Sequence, residues 1–296
     1  MNLLIGSATT GLILALLGLG VFISYRIYHT LDLTTDGSFG LGTAVAAALL
    51  VRGVHPLPAT GMAILAGIVA GGLTGVLHTR FLVSTLLAGV LVSTGLYSVS
   101  LFVMGGGNLS LASAGTLMTS AERLGQRLFG LPDSLAVLGY MVSGASLATL
   151  FLMGLVAATL AGALTFFMGT HLGLAMRAAG TNPQMAKAVA IDVDRMVVLG
   201  LMLSNGLIAL SGALFAQFEG FSNIQMGVGA IVTGLANLML GEALLGRHPV
   251  GRWIAGALLG SVAFRLLVAA AVTAGLSPNA LKLVTALLVL AVLVVP

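Results

Sequence analysis

The chain has 296 residues, of which 58% are hydrophobic and only 7% charged, and its mean hydropathy is +1.14. A soluble domain carries nearer a quarter of charged residues, so that class is excluded. The balance is basic, +4 with a pI near 10.0, but no window clusters the lysines and arginines that a phosphate backbone requires, which excludes nucleic acid as a partner.

Windows without Asp, Glu, Lys or Arg run over 53–79, 81–121, 134–176 and 196–218, and each exceeds the roughly 20 residues that cross a hydrocarbon core as a helix. They are continuously apolar instead of alternating, which argues against a β-barrel. The expected fold is therefore an all-α polytopic membrane protein, one domain over 1–296. Spans are predicted at 3–25, 37–52, 58–78, 81–104, 134–168, 196–218, 226–246, 253–275 and from 280 to the end, eight or nine transmembrane helices with one broken or re-entrant segment. The stretch Met1–Ser24 has neither a basic leader nor a small-residue cleavage site, and is expected to remain as the first helix.

In 32–42, Asp36 followed by Gly37 is a turn signal inside an apolar region, and Thr34, Thr35 and Ser38 add hydroxyls ahead of Phe39. Two readings stand: a discontinuous helix lining a translocation path, or a cytoplasmic turn with Ser38 or Asp36 capping the second helix. In the third span Gly67, Gly71 and Gly75 share one face, a spacing that lets helix backbones approach closely. GGGN at 105–108 opens no nucleotide-binding unit and reads as an outer loop. Between Thr119 and Phe129 a small amphipathic helix is expected to lie on the outer surface, with Thr119 and Glu122 as its capping box. The run 134–168 is too long for one upright span and too short for two, so it tilts or breaks.

The stretch 171–195 holds Arg177, Lys187, Asp192, Asp194 and Arg195. Asn182 followed by Pro183 is a helix start, because the Asn side chain accepts from an orphan N–H and proline at the first position loses no bond. A helix over 183–190 then places Met185 and Val189 on one face, and Ala186 and Ala190 on another. That apolar stripe is too short to span a membrane, so it lies on lipid or docks on a protein.

Polar side chains inside spans are costly, which singles out Asn205, Asn237, Glu242 and Arg265, with Gln217, Glu219, Asn223 and Gln225 near the outer ends of the sixth and seventh spans. Arg265 is expected to pair with Glu242 or with a backbone carbonyl, a structural role rather than contact with solute. Cysteine is absent, which excludes disulfides and thiolate metal sites; the five His have no metal-ligand spacing, and no phosphate loop or HExxH occurs. The chain is expected to be no enzyme, with no metal and no cofactor of its own.

The run 176–220, with Arg177, Ala178, Asn182, Pro183, Ala186, Ala190, Ile191, Asp192, Val193, Ser204 and Gly212, resembles the cytoplasmic loop and following helix of permease subunits from ABC importers of the branched-chain amino acid and ribose type. Segments 31–42, 231–247 and 277–296 resemble a branch in which a single permease works with a lipoprotein-type binding protein. The resemblance implies that 183–190 is a coupling helix seated in an ATPase subunit, with Arg177, Asn182, Pro183, Met185, Ala186, Val189 and Asp192 as coupling residues. One departure is Ala190, where relatives carry glycine before Ile-Asp. By the same resemblance, ATP and Mg belong to the partner ATPase, an external binding protein delivers a small amino acid or related solute, and two permease copies form a homodimer embedded in lipid of the bacterial inner membrane. Asp36, Ser38, Phe39, Asn205 and Asn237 are then candidates to line the path. A stand-alone secondary transporter is the alternative; no internal repeat or intramembrane ion relay supports it. An intramembrane enzyme would need paired catalytic side chains at depth, and none is visible.

Orientation follows from basic residues in short loops. Placing 171–195 in the cytoplasm puts Arg26, Arg80, Arg177, Lys187, Arg195, Arg247 and Arg252 inside, against Arg52, Arg123, Arg127 and Lys282 outside, with an external amino terminus. Single cysteines introduced into this cysteine-free chain test it: an impermeant thiol reagent applied to intact cells is expected to label position 123 and not 187, and the reverse pattern overturns the topology.

Overall fold

In hydrocarbon, backbone N–H and C=O groups must find partners within the protein, which makes helices the form that long apolar runs take. A computed structural model of the chain describes residues 2–129, 134–137, 140–246 and 250–275, together with Leu283, Leu287 and Leu290. Among the described residues eight helices are long and apolar enough to cross a membrane: Leu3–Ile27, Thr34–Val51, Pro56–Thr79, Thr85–Met104, Gly144–Gly169, Val193–Glu219, Ile224–Leu245 and Val250–Thr273. The expected all-α architecture is borne out. The ninth expected span lies outside the described residues, apart from the three helical leucines.

The elements in chain order are α1 (Asn2–Phe22, continued by a π-helical turn Ile23–Ile27), α2 (Thr34–Val51), α3 (Pro56–Thr79), α4 (Thr85–Met104), β1 (Asn108–Ser110), α5 (Leu117–Phe129), β2 (Ser134–Val137), β3 (Tyr140–Ser143), α6 (Gly144–Gly169), α7 (His171–Thr181), α8 (Pro183–Ala188), α9 (Val193–Glu219), β4 (Phe221–Asn223), a 3-10 turn Ile224–Gly227, α10 (Ala230–Leu245) and α11 (Val250–Thr273). Helix α9 is the centre, packed on α1, α2 and α3, while α10 and α11 pack on each other and on α1. α4 leans on α2 and α6 on α1.

Close approach, not side-chain bulk, makes the central contact. The predicted glycine face of α3 lies against α9: a Cβ on Gly67 or Gly71 would run into the backbone of Asn205 or Leu201, and one on Gly75 would come within 2.9 Å of Val198 Cα. α9 meets α1 through hydroxyls as well, Ser204 donating to the Gly20 carbonyl (2.7 Å) and Ser211 to that of Ile13 (2.8 Å). These bonds satisfy hydroxyls that lipid could not.

One expectation is narrowed and one corrected. Of the tilted or broken helix expected over 134–168 the structure has the broken form: β2 and β3 pair antiparallel, Ser134 with Ser143 through Val137 with Tyr140, and α6 starts only at Gly144. Its 26 residues already rise about 39 Å, so hydrocarbon needs no more helix, and the β-branched and aromatic Val137, Tyr140 and Val142 suit a strand. The outer helix α5 begins at Leu117, with its reciprocal capping between Thr116 and Thr119: Thr119 N–H donates to Thr116 Oγ1 (3.2 Å) and Thr116 N–H to Thr119 Oγ1 (3.0 Å). Leu117 N–H also donates to Gln217 Oε1 at 3.0 Å, so α5 is tied to the end of α9.

The packing yields a paired test. Gly71→Val is expected to destabilise the protein by about 1–3 kcal/mol through overpacking, whereas Gly61→Val on the same helix, where a Cβ meets nothing within 4 Å, leaves thermal unfolding in detergent near wild type. Equal shifts for the two would contradict the α3–α9 contact.

Candidate functional site

Two broken stretches of chain meet inside the helix bundle. After the π-helical turn, residues 28–33 run without helix, and α2 starts at Thr34 with its side chain fully buried. The Asp32 carboxylate accepts from Thr34 N–H (2.9 Å) and from Asn205 Nδ2 (2.8 Å); Ser38 donates to Asn205 Oδ1 (2.7 Å), and the hydroxyls of Thr34 and Thr74 bond at 2.7 Å. Asp32, Ser38 and Asn205 are buried, and no cation pairs with Asp32 among the described residues.

The second break follows α9. β4 pairs antiparallel with β1, Asn108 opposite Asn223, and Ser222 donates to Thr43 Oγ1 at 3.0 Å. The chain then descends along α2, with Gly227 against the backbone of Asp36 and Gly40, where no side chain fits. At its foot the Asp36 carboxylate accepts from Gly229 N–H (3.0 Å) and Ile231 N–H (2.9 Å), capping α10 from a different helix. Since Asp36 and Val51 are separated by fifteen positions, the cap lies about 20 Å below the outer end of α2. Thus 221–229 is a re-entrant segment that carries Asn223 and Gln225 and ends well inside the bundle. Asp36 caps neither its own helix nor a cytoplasmic turn.

Other in-span polar residues also find partners unlike those expected. Glu242 pairs not with Arg265 but with Arg26, whose Nε and Nη2 both donate to its carboxylate. Arg26 ends α1 beside the inner end of α10, whereas Arg265 lies about two-thirds of the way along α11 and interacts electrostatically with Glu219 at the outer end of α9; its Nε makes no hydrogen bond among the described residues. Asn237 Nδ2 donates to the Leu14 carbonyl (3.2 Å), and its buried Oδ1 has no partner among the described residues. Phe39 is buried against Phe215, ring centroids 5.7 Å apart.

At the inner end α7, α8 and the start of α9 form one folded unit. Asn182 Oδ1 accepts from Met185 N–H at 3.0 Å with Pro183 at the first helical position. The helix stops at Ala188, not at 190. Ala190 takes the left-handed conformation (φ 61°), with Ala190 N–H bonding the Lys187 carbonyl and Ile191 N–H that of Ala186, a helix end for which glycine is the unstrained residue. Asp192 caps α9, accepting from Arg195 N–H at 3.1 Å, and pairs with the Arg195 guanidinium at 2.8 Å in solvent. Ala186 is buried on Ala179 and Val193, while Met185 and Val189 are 66% and 63% exposed. Arg177 stands apart from them, in a cavity against α1 and α6.

Helix α7 was not expected, although Gly173, Met176 and Ala179, all buried, recur at helical spacing. The re-entrant 221–229 was likewise missed. Its signal is the pair Gly227 and Gly229 directly after the polar run 222–225, at the start of the expected span 226–246.

Comparison with known proteins agrees with this architecture. The family described as branched-chain amino acid transport system / permease component matches residues 3–294, and the chain belongs to it. The chain is thus the permease component of an ABC importer, a multi-pass inner-membrane protein whose ATP hydrolysis resides on a separate ATPase. It is 37% identical over 293 residues to the tyrosine transport system permease protein of Clostridioides difficile (strain R20291), covering 99% of this chain and 91% of that one. It is 26% identical over 250 residues to the autoinducer 2 import system permease protein LsrC of Yersinia pseudotuberculosis serotype O:3 (strain YPIII), covering 84% and 64%. In fold it is similar to an ABC transporter of metal-chelate type solved in an inward-facing conformation, with TM-score 0.51 and 17% identity over 96% of this chain and 81% of that one.

The Arg26–Glu242 pair supplies a test. Glu242→Gln leaves a half-buried guanidinium without its anion, so it is expected to lower thermal stability more than the double replacement Arg26→Met, Glu242→Met, with a coupling of about 0.5–3 kcal/mol. Additive losses would show that the two side chains do not interact.

Proposed function

We propose that this permease passes a small amino acid or related solute, delivered by an external binding protein, through a homodimer driven by ATPase subunits that dock on α8. The carrying observation is α8 itself: a six-residue helix outside the spans, rigidly capped by Asn182, anchored through Ala186, and presenting Met185 and Val189 to solvent. Two exposed apolar side chains on so short a helix need a partner. The tyrosine transport permease among its relatives supports an amino acid as solute.

A second copy has a natural place on α4. In mid-span this helix exposes Tyr97 and Ser98 beside Gly95, hydroxyls that lipid offers no partner and that a path between two copies would use. Asp36, Ser38, Phe39, Asn205 and Asn237 then act behind that path, holding the broken ends of α2 and α10 in place. ATPase closure would move α8, and the rigid α7–α8–α9 unit would transmit the motion to α9, the helix on which α1, α2 and α3 pack.

Met185→Asp tests the docking face. It places a carboxylate in an apolar groove of the ATPase at a cost of about 3 kcal/mol, roughly a hundredfold in affinity. Membrane insertion is expected to be normal and ATPase recovery in a detergent pull-down to be lost. Undiminished recovery would sink the assignment.

A further inference from the structure

One inner-end cavity is separate from both α8 and the bundle junction. It encloses about 650 Å³ between the ends of α1 and α6, helix α7 and the first turn of α11. Its walls divide by chemistry. Val250 and Trp253 make the apolar side, backed by the fully buried Phe22 and Met168, with Phe22 and Trp253 ring centroids 6.0 Å apart, and Arg26, His29 and Arg177 provide the polar side. Arg26 spends Nε and Nη2 on Glu242, leaving Nη1 without a hydrogen bond among the described residues. Arg177 forms no ion pair among them, so the cavity retains a positive charge that nothing described neutralises. His29 is held at φ 54°, a conformation a non-glycine residue adopts at a cost.

Its position specifies the ligand. Gly169 is the last residue of the α6 span, Val250 the first of α11, and Arg26 and Ile27 the last of α1, so the cavity lies where hydrocarbon gives way to headgroups. It is open beside α6, where Thr165, Phe166 and Gly169 are exposed. On the positive-inside orientation this is the cytoplasmic leaflet, whose lipids are anionic. We propose that this cavity binds the phosphate-bearing headgroup of an anionic phospholipid, Arg177 and the free edge of Arg26 facing the phosphate, and Val250 and Trp253 facing the glycerol and first acyl carbons. This assigns Arg177, which the family resemblance implies to be a coupling residue, to lipid instead of the ATPase.

Trp253 is the single tryptophan of the chain and reports on the cavity directly. In full-length permease reconstituted in phosphatidylcholine vesicles, a small fraction of brominated phosphatidylglycerol is expected to quench Trp253 more strongly than the same fraction of brominated phosphatidylcholine. Arg177→Gln is expected to cut that preference about fivefold, equivalent to about 1 kcal/mol for one arginine at an anionic surface, and Arg177→Lys to restore most of it. Equal quenching by the two lipids in wild type overturns the proposal. So does a change in Trp253 emission with inorganic phosphate but no preference between lipids, which would mark a site for free phosphate. If Arg177→Gln keeps the lipid preference and loses the ATPase in a pull-down, Arg177 is a coupling residue and the lipid assignment falls. None of these outcomes depends on the Met185→Asp result, so the two readings fail separately.

Discussion

The structure depends on one constraint, that no backbone polar group can be left bare at membrane depth. Among the described residues two stretches violate helical continuity there, 28–33 and 221–229, and each is made tolerable by a carboxylate. Asp32 takes up the first amide of α2. Asp36 takes up the exposed amides at the start of α10, where the helix dipole also favours a negative charge. Because the Asp36 cap comes from α2, two helices distant in sequence are locked together by the bond that makes the break possible. Asn205 completes the junction from α9 by giving to Asp32 and accepting from Ser38.

That junction needs backbones in near contact, which explains the glycine content. Gly227 against Asp36, Gly42 against Ala209 and Gly212 against Phe39 all occupy places a Cβ would fill. With lipid offering no hydrophobic drive for helix association, close packing and hydroxyl-to-carbonyl bonds supply it instead. The result is a dense core of α1, α2, α3 and α9, and a looser inner end with cavities of about 410, 490 and 650 Å³. In an importer that division is useful: motion received at α8 is carried into the core as a rigid-body displacement, since a packed interior deforms little.

The Arg26–Glu242 pair shows why in-span charges cannot be matched by sequence inspection alone. Arg265 and Glu242 lie in adjacent helices, but at different depths, and pairing is decided by depth and azimuth together. Arg26 looked like a loop residue beyond the first span, and the π-helical turn 23–27 brings it inward to the end of α10.

What the sequence determined by itself was set by local chemistry. Charge-free windows longer than a bilayer is thick specified the spans; the spacing of Gly67, Gly71 and Gly75 specified a contact face; and Asn182 with Pro183 specified the start of α8, because capping is a matter of neighbouring atoms. The run 176–220 already resembled the family to which the chain belongs. Tertiary structure alone decided which helix α3 meets, that Asp36 caps α10 and not its own helix, that Glu242 is neutralised by Arg26, and that Arg177 faces a cavity instead of standing beside Met185. Each of these joins residues far apart in the chain, and the depth of a group within a bundle, which controls its partner, is fixed by how all the helices pack at once and not by the residues around it.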